Sequence, residues 1–224
     1  MMMKKLIALV ALAVAPLMLS NCATTGSGLA AYQAYDRPAT LPTNPSAVRV
    51  KVSTSKQRVY VMEGSKPLLV MPVSVGTAST PTPKGNFTIY SKQAKRRANS
   101  HGYAYNGNQI RQTYVSKKPA GWSFKGTPMP YWCEFKSAYG FHTGWVKPYP
   151  CTHGCIRMHE NLAPKFFRLV KEGTPVNISS SQPEDEIYGN IPLPPDASPL
   201  PDYPAGSHYV GDGYFTQHKK PTFR

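Results

Sequence analysis

Hydrophobic and polar residues alternate in short runs through the middle of the chain. Residues 48–54 read VRVKVST, 57–63 QRVYVME, 68–76 LLVMPVSVG and 86–91 NFTIYS. Each run is rich in β-branched residues and bounded by Gly, Pro, Ser or Lys, and a period of two puts successive side chains on opposite faces, so these runs predict strands of an antiparallel sheet. Gly64, between Glu63 and Ser65, supplies the backbone freedom of a tight turn and joins the second and third runs as a hairpin. In TASTPTPKGNF, 77–87, two prolines and Gly85 predict a rigid loop before the fourth strand. MPYWCEF, 129–135, and YGFHTGW, 139–145, add aromatic-rich strands.

The period changes once, in NLAPKFFRLVKEG, 161–173. Leu162, Phe166, Leu169 and Val170 recur on one helical face, with Asn161 placed to cap the helix and Gly173 to end it. TPVNI, 174–178, reads as a closing strand. The pattern therefore predicts one mainly β domain over 47–179, a β-sandwich or mixed sheet with one packed helix near its C-terminal end.

Outside these runs the pattern fades. Residues 23–46 carry Thr, Gly, Ser, Ala and Pro without a period and read as a flexible tether. Residues 91–127 are basic, hydrophilic and rich in Gly and Tyr, with KQAKRR at 92–97, and read as a long loop or lid-like insertion that carries His101. The Pro-rich tail, 180–224, is expected to be extended. No internal repeat or second transmembrane segment is present.

The N-terminus narrows the setting. Lys4 and Lys5 precede an apolar run from Leu6 to Leu19, too short to span a bilayer comfortably, so residues 1–22 read as an export signal. The run closes on Leu19, Ser20, Asn21 and Cys22, which resembles the bacterial lipoprotein processing box, with Asn21 where a Gly, Ala or Ser is usual. That resemblance makes Cys22 the lipidation site. The chain carries 26 Lys and Arg against 11 Asp and Glu, a net charge of +15. On an exported protein this charge faces acidic wall polymers and lipid headgroups, not nucleic acid.

Four cysteines are present. With Cys22 lipidated, Cys133, Cys151 and Cys155 remain, an odd number that leaves a thiol unpaired. Residues 151–160, CTHGCIRMHE, hold two of them with His153 and His159. On a strand, residues 151, 153 and 155 share one face and cannot surround a tetrahedral ion, so no metal is expected. A disulfide is compatible with export, with Cys133–Cys151 preferred over Cys151–Cys155. A third reading makes Cys155 a nucleophile, with His142 as base. His153 and Gly154 would then shape a loop whose backbone N–H groups meet an oxyanion.

HTGWVKPYPCTHGCIRM resembles the catalytic motif of the bacterial L,D-transpeptidase family, in which an upstream His is followed by Ser or Thr, His, Gly, Cys, an aliphatic residue and Arg. Here that run is Thr152, His153, Gly154, Cys155, Ile156 and Arg157. The likeness extends over about 48–178: the opening hairpin, a TPxGxF loop at Thr82, Pro83, Gly85 and Phe87, and the strand MPYWCEF. The family's usual His-Gly is His142-Thr143-Gly144 here.

The resemblance implies the family's fold and a cysteine acyltransferase without cofactor. Cys155 would attack the third-residue carbonyl of a peptidoglycan tetrapeptide stem, expel D-alanine and pass the acyl group from a thioester to an amine. His142 would manage the proton. Arg157 and Thr152 would support the motif or substrate, while Tyr131 and Trp132, with Trp145, would line the groove; His159 and Glu160 would start the helix. The expected partners are stem peptides and the membrane, reached through a lipid anchor on a monomeric periplasmic protein. Water as acceptor, or a noncatalytic wall-binding lipoprotein, are the alternative readings.

Overall fold

In the computed structural model, the described residues are 25–195, 206–216 and 220–224, so Cys22 and the export segment lie outside them. Helix α1 (Thr25–Ala34) precedes β1 (Val48–Ser53), β2 (Arg58–Glu63), β3 (Lys66–Ser74), β4 (Gly85–Thr88) and β5 (Ser91–Gln93). Then come β6 (Arg97–Asn106), β7 (Gln109–Tyr114), β8 (Ser123–Pro128), β9 (Trp132–Lys136), β10 (Tyr139–Thr143) and β11 (Ile156–Met158). Helix α2 (Ala163–Leu169), β12 (Pro175–Ser179), α3 (Glu184–Tyr188) and α4 (Ser207–Val210) complete the described elements longer than a single 3-10 turn.

Nine strands form one sheet in the order β4-β12-β1-β2-β3-β11-β10-β9-β5. Its edge strands β4 and β5 are consecutive in the chain, separated by Ile89 and Tyr90 alone. Two residues span only about 7 Å, so the sheet must curl until its edges almost meet. Hydrogen bonds from Ile89 N to Thr174 O (3.0 Å) and Tyr90 N to Glu134 O (3.0 Å) fix that closure. The runs read as antiparallel strands do pair that way in β1, β2 and β3, and the sheet as a whole is mixed, as expected, because β1 pairs with β12, and β10 with β11, in parallel.

The alternation decides what fills the curl. Val50 and Val52 of β1, Val59 and Val61 of β2, Met71 and Val73 of β3, Phe141 of β10, and Ile156 and Met158 of β11 enter one core with Leu162, Phe166 and Leu169 beside and on α2. Phe141 and Phe166 approach to 4.7 Å between ring centres, and Phe135 lies 5.3 Å from Phe141. Each such fully buried side chain contributes roughly 1.5–3 kcal/mol.

Helix α2 is shorter than the pattern predicts. Pro164 occupies its first turn, and the Lys92 ammonium donates to Phe167 O (2.7 Å) and Val170 O (2.6 Å) at its other end. Asn161 does not cap it. Leu162 takes that position, while Asn161 Nδ2 donates to Gln33 O and Tyr35 O, tying the helix to the N-terminal segment. His159 does not start the helix either: its buried ring bonds Tyr32 O at 2.8 Å and accepts from Asn161 N.

Three stretches without a clear period are ordered by tertiary contacts. In the expected tether, Tyr32 is buried beneath Trp145 and His159, and its hydroxyl accepts from Val146 N (2.8 Å). The expected long loop over 91–127 is corrected to β5 and a three-stranded sheet, β7-β6-β8, whose β6–β7 turn is Gly107-Asn108 with Gly107 at φ 54°. In the expected extended tail, α3 packs by Asp185, which accepts from Tyr60 (2.6 Å) and Ser53 (2.8 Å). Residues 206–216 cover the three-stranded sheet. Arg97 donates to Tyr209 O, Gly211 O and Asp212, and Tyr103 stacks on Tyr209.

Phe166→Ala is expected to lower the free energy of unfolding by about 3–5 kcal/mol in urea titrations followed by circular dichroism.

Candidate active site

The site is built by the register of three strands. On β10 and β11, Phe141 lies opposite Ile156 and His142 opposite Arg157. Phe141 and Ile156 point into the core, so alternation sends His142 and Arg157 to the other face, and Cys155 lies two residues before Arg157 on that same side. On β9, Cys133 opposes Phe141 in the core, which turns Trp132 and Glu134 toward the site. The Trp132 and His142 rings are 6.0 Å apart. Cys155 stands one residue before β11 and His142 on the neighbouring strand β10, so thiol and imidazole come from adjacent segments.

Gly140 and Gly154 are required here. A Cβ on Gly140 would lie 2.8 Å from the Trp132 ring and 2.9 Å from Cys133 O. Gly154 has φ +105°, and a Cβ there would lie 2.5 Å from the Tyr139 ring. The turn between them and Cys155 is clamped by Thr152, whose Oγ1 donates to Cys155 O (2.6 Å) and accepts from Gly154 N (3.1 Å). The loop 76–82 holds Thr152 in turn: Thr77 N and Thr80 Oγ1 donate to Thr152 O at 3.0 Å each, and Thr82 Oγ1 accepts from Gly76 N at 2.9 Å.

His142 is almost fully buried, and its Nδ1 lies 2.8 Å from Thr143 O. A carbonyl can only accept, so Nδ1 carries the proton and Nε2 presents a lone pair. Burial, reinforced by the Arg157 charge, lowers its pKa to about 4, leaving the ring neutral near pH 7. Burial likewise pushes the Cys155 thiol up, against a backbone hydrogen bond from Gly140 and the Arg157 charge. Thiol and imidazole therefore rest as a neutral pair, with the thiol donating to Ala138 O at 3.6 Å. A partner that takes the proton while a carbonyl is attacked is what this arrangement can supply.

The other sequence-predicted residues divide. Arg157 stands beside the pair and donates to Cys151 Sγ at 3.8 Å. His153 is exposed and meets His101 of β6 (ring centres 4.9 Å apart), which packs on Tyr114 of β7 at 4.2 Å. His101 thus has partners that the sequence did not suggest. The Gly154 N–H is engaged by Thr152, so an oxyanion role there requires that bond to open. Trp132, fully buried, is a wall behind His142 and not an open groove platform; its indole N–H donates to Glu134. Tyr131 is partly buried and packs against Phe167 and the core.

Cys133, Cys151 and Cys155 are all free thiols, which corrects the preferred Cys133–Cys151 bridge: Cys133 points into the core while Cys151 lies by Arg157 on the opposite side of the sheet. Among the described residues, no three His, Cys, Asp or Glu side chains gather as a metal cluster. Glu134, Ala138 and Gly140 were missed as site residues. The alternation of MPYWCEF held the signal for Glu134, since Cys133 and Phe135 are its core-facing neighbours.

A family model described as the L,D-transpeptidase catalytic domain, YkuD, matches residues 47–178, more than half of the 224 residues. The chain belongs to the L,D-transpeptidase catalytic-domain family. Comparison with curated proteins finds no match. Among solved structures it is similar to L,D-transpeptidases of Stackebrandtia nassauensis (19% identity, 70% of this chain and 66% of that one, TM-score 0.45) and Mycobacterium smegmatis (17%, 59% and 58%, 0.46). Mycobacterium tuberculosis L,D-transpeptidase 1 is similar at 22% identity over 59% of this chain and 61% of that one, with TM-score 0.42. This L,D-transpeptidase family member thus spans between 58% and 66% of the length of those three structures.

The buried histidines of this family member make its stability depend on pH. The folded pKa values of His142 and His159 lie at about 4, below the value near 6.5 of an unfolded histidine. Between those values the unfolded chain binds more protons, so stability falls as pH falls from about 6.5 toward 4, by on the order of 2–3 kcal/mol per histidine. Urea midpoints at pH 7, 5.5 and 4.5 should decrease in that order, and His159→Gln should flatten the slope.

Proposed function

We propose that the protein is a peptidoglycan L,D-transpeptidase in which Cys155 carries the acyl group. The observation that carries this reading is the neutral Cys155 thiol on the same sheet face as a neutral His142, whose Nε2 lone pair is left open by the Nδ1 bond to Thr143 O. As the sulfur attacks the carbonyl of the third residue in a tetrapeptide stem, His142 Nε2 takes the thiol proton. The tetrahedral intermediate collapses by breaking the bond to the terminal residue; the proton passes to its nitrogen and D-alanine leaves. An amine then attacks the Cys155 thioester, His142 takes the amine's proton, and the thiol is reprotonated as the new amide forms. Atoms balance without cofactor or redox partner.

Arg157 favours the thiolate as it forms and keeps His142 from protonating prematurely. Gly140 N–H, already a hydrogen-bond donor at Cys155, adds to the stabilisation of the leaving negative charge on sulfur. In this reading the acceptor is a second stem peptide or a wall protein, and the protein works outside the cytoplasm, held to a membrane through lipid on Cys22. The net charge of +15 favours residence among acidic wall polymers.

Incubating the purified protein with disaccharide tetrapeptide should release D-alanine, leave a mass adduct on Cys155 during turnover, and yield a cross-linked dimer. Tripeptide without dimer would show water to be the acceptor, and unchanged substrate with an unmodified Cys155 would overturn the enzyme reading. Cys155→Ala should reduce turnover by at least about 10⁴-fold, and His142→Gln by about 10²–10⁴-fold. Cys151→Ala should keep most activity. A profile of kcat/KM against pH should show its acid limb at about 4, where His142 protonates, and not near 6.5.

A further inference from the structure

We propose that Glu134 is a positioning residue that holds the β9–β10 hairpin against the Cys155 sulfur; this rests on Cys155 being the acyl carrier. Glu134 pairs with Gly140 across that hairpin and with Ser91 on its other side, so it sits on the site face between two strands. One carboxylate oxygen accepts from Ala138 N at 3.0 Å and the other from the Trp132 indole at 3.2 Å, while the Tyr90 hydroxyl adds a third hydrogen bond. Burial raises the carboxyl, but these bonds and the Arg96 charge outweigh it and hold the group below the usual range, so it stays ionised and is not a proton carrier near neutrality.

What the carboxylate holds is the hairpin tip. Ala138 has φ 64°, a left-handed conformation that a residue with a β-carbon adopts only when its surroundings impose it. The Ala138 N–H to Glu134 bond imposes it, and the Ala138 carbonyl thereby faces the Cys155 thiol at 3.6 Å. Gly140, two residues on, supplies the backbone donor at the same sulfur. Both main-chain groups at the sulfur therefore come from a hairpin whose tip is held by the Glu134 side chain. Its negative charge adds to burial in keeping the thiol protonated, against Gly140 and Arg157, so the sulfur rests on the Ala138 carbonyl until substrate draws the proton to His142.

Two substitutions in the full chain separate the contributions. Glu134→Gln removes the charge and can accept only one of the two N–H bonds. Its kcat for D-alanine release should fall about 10- to 100-fold with KM within about twofold, as expected of a misplaced reacting group. Its Cys155 should also react several-fold faster with iodoacetamide at pH 7, because the thiol titrates at lower pH. Glu134→Asp keeps the charge but shortens the reach, so kcat should fall without a change in the alkylation profile. Alkylation and kcat in Glu134→Gln that superpose on the wild type would overturn the proposal. So would a kcat loss matched wholly by a lowered unfolding midpoint with an unchanged thiol titration. If Glu134→Gln does not fold, unchanged kcat in Glu134→Asp overturns it. If wild-type protein releases no D-alanine, the functional reading fails, while the alkylation profile still decides whether Glu134 governs the sulfur.

Discussion

The parallel pairing of β10 with β11 is the constraint on which the site depends. With Phe141 opposite Ile156, both enter the core, and His142 and Arg157 can only lie on the other face of the sheet. A slip of one residue would exchange the two sets, burying a guanidinium and an imidazole where the Phe141, Phe135 and Phe166 rings now pack. The cost of that exchange far exceeds the energy of a single contact, since each buried unpaired charge costs several kcal/mol. The same aromatic cluster that stabilises the fold therefore fixes which residues can meet at Cys155. A parallel pair also needs a crossover, and residues 144–155 between the two strands supply it as the loop that carries Thr152 and Gly154.

The electrostatics follow from that placement. A thiol and an imidazole in water would share an ion pair only weakly, and here burial penalises both charged forms. Arg157 acts on the two groups in opposite senses, favouring thiolate on Cys155 and neutrality on His142. The resting state is thus uncharged at both groups. Backbone groups take up the remainder: Thr143 O fixes the imidazole tautomer, while Ala138 O and Gly140 N–H address the sulfur.

Much of this was legible in the sequence where side-chain period reports burial. The runs at 48–54, 57–63 and 68–76 became β1, β2 and β3 because their valines enter one core, and CTHGCIRM marked the sharp turn at Gly154. The three-stranded sheet was not legible as strands, because β7 is largely exposed and β6 is buried only at Gly102, Tyr103 and Ala104. The Gly107-Asn108 turn was its one local signal. Which strands of the mixed sheet pair in parallel was not legible either, since such pairing joins segments far apart in the chain and leaves the alternation within each strand unchanged. Alternation placed Glu134 on the face opposite Cys133 and Phe135, but its role was not legible, because its partners Tyr90, Trp132 and Ala138 converge only after β5, β9 and β10 have assembled.

The boundaries of the family match and of the packed body also differ for a physical reason. The match ends at residue 178, yet Tyr103, fully buried, stacks on Tyr209 at 6.0 Å between ring centres, and Arg97 spends its guanidinium on the main chain of residues 209–211. Asp212 pairs with both Arg97 and Lys125, so residues 206–216 serve as the missing layer of a sheet too polar to support itself. That sheet in turn presents His101 to His153, two residues from the sulfur. At the other end Tyr32 and the main chain of Ala39, which accepts from Arg224 N at 2.8 Å, draw both ends of the described chain onto the same body. The loop that leads to Cys155 is thereby braced by Tyr32 on one side and by His101 of the small sheet on another. These segments have no hydrophobic period of their own, and their order comes from contacts with the domain they brace.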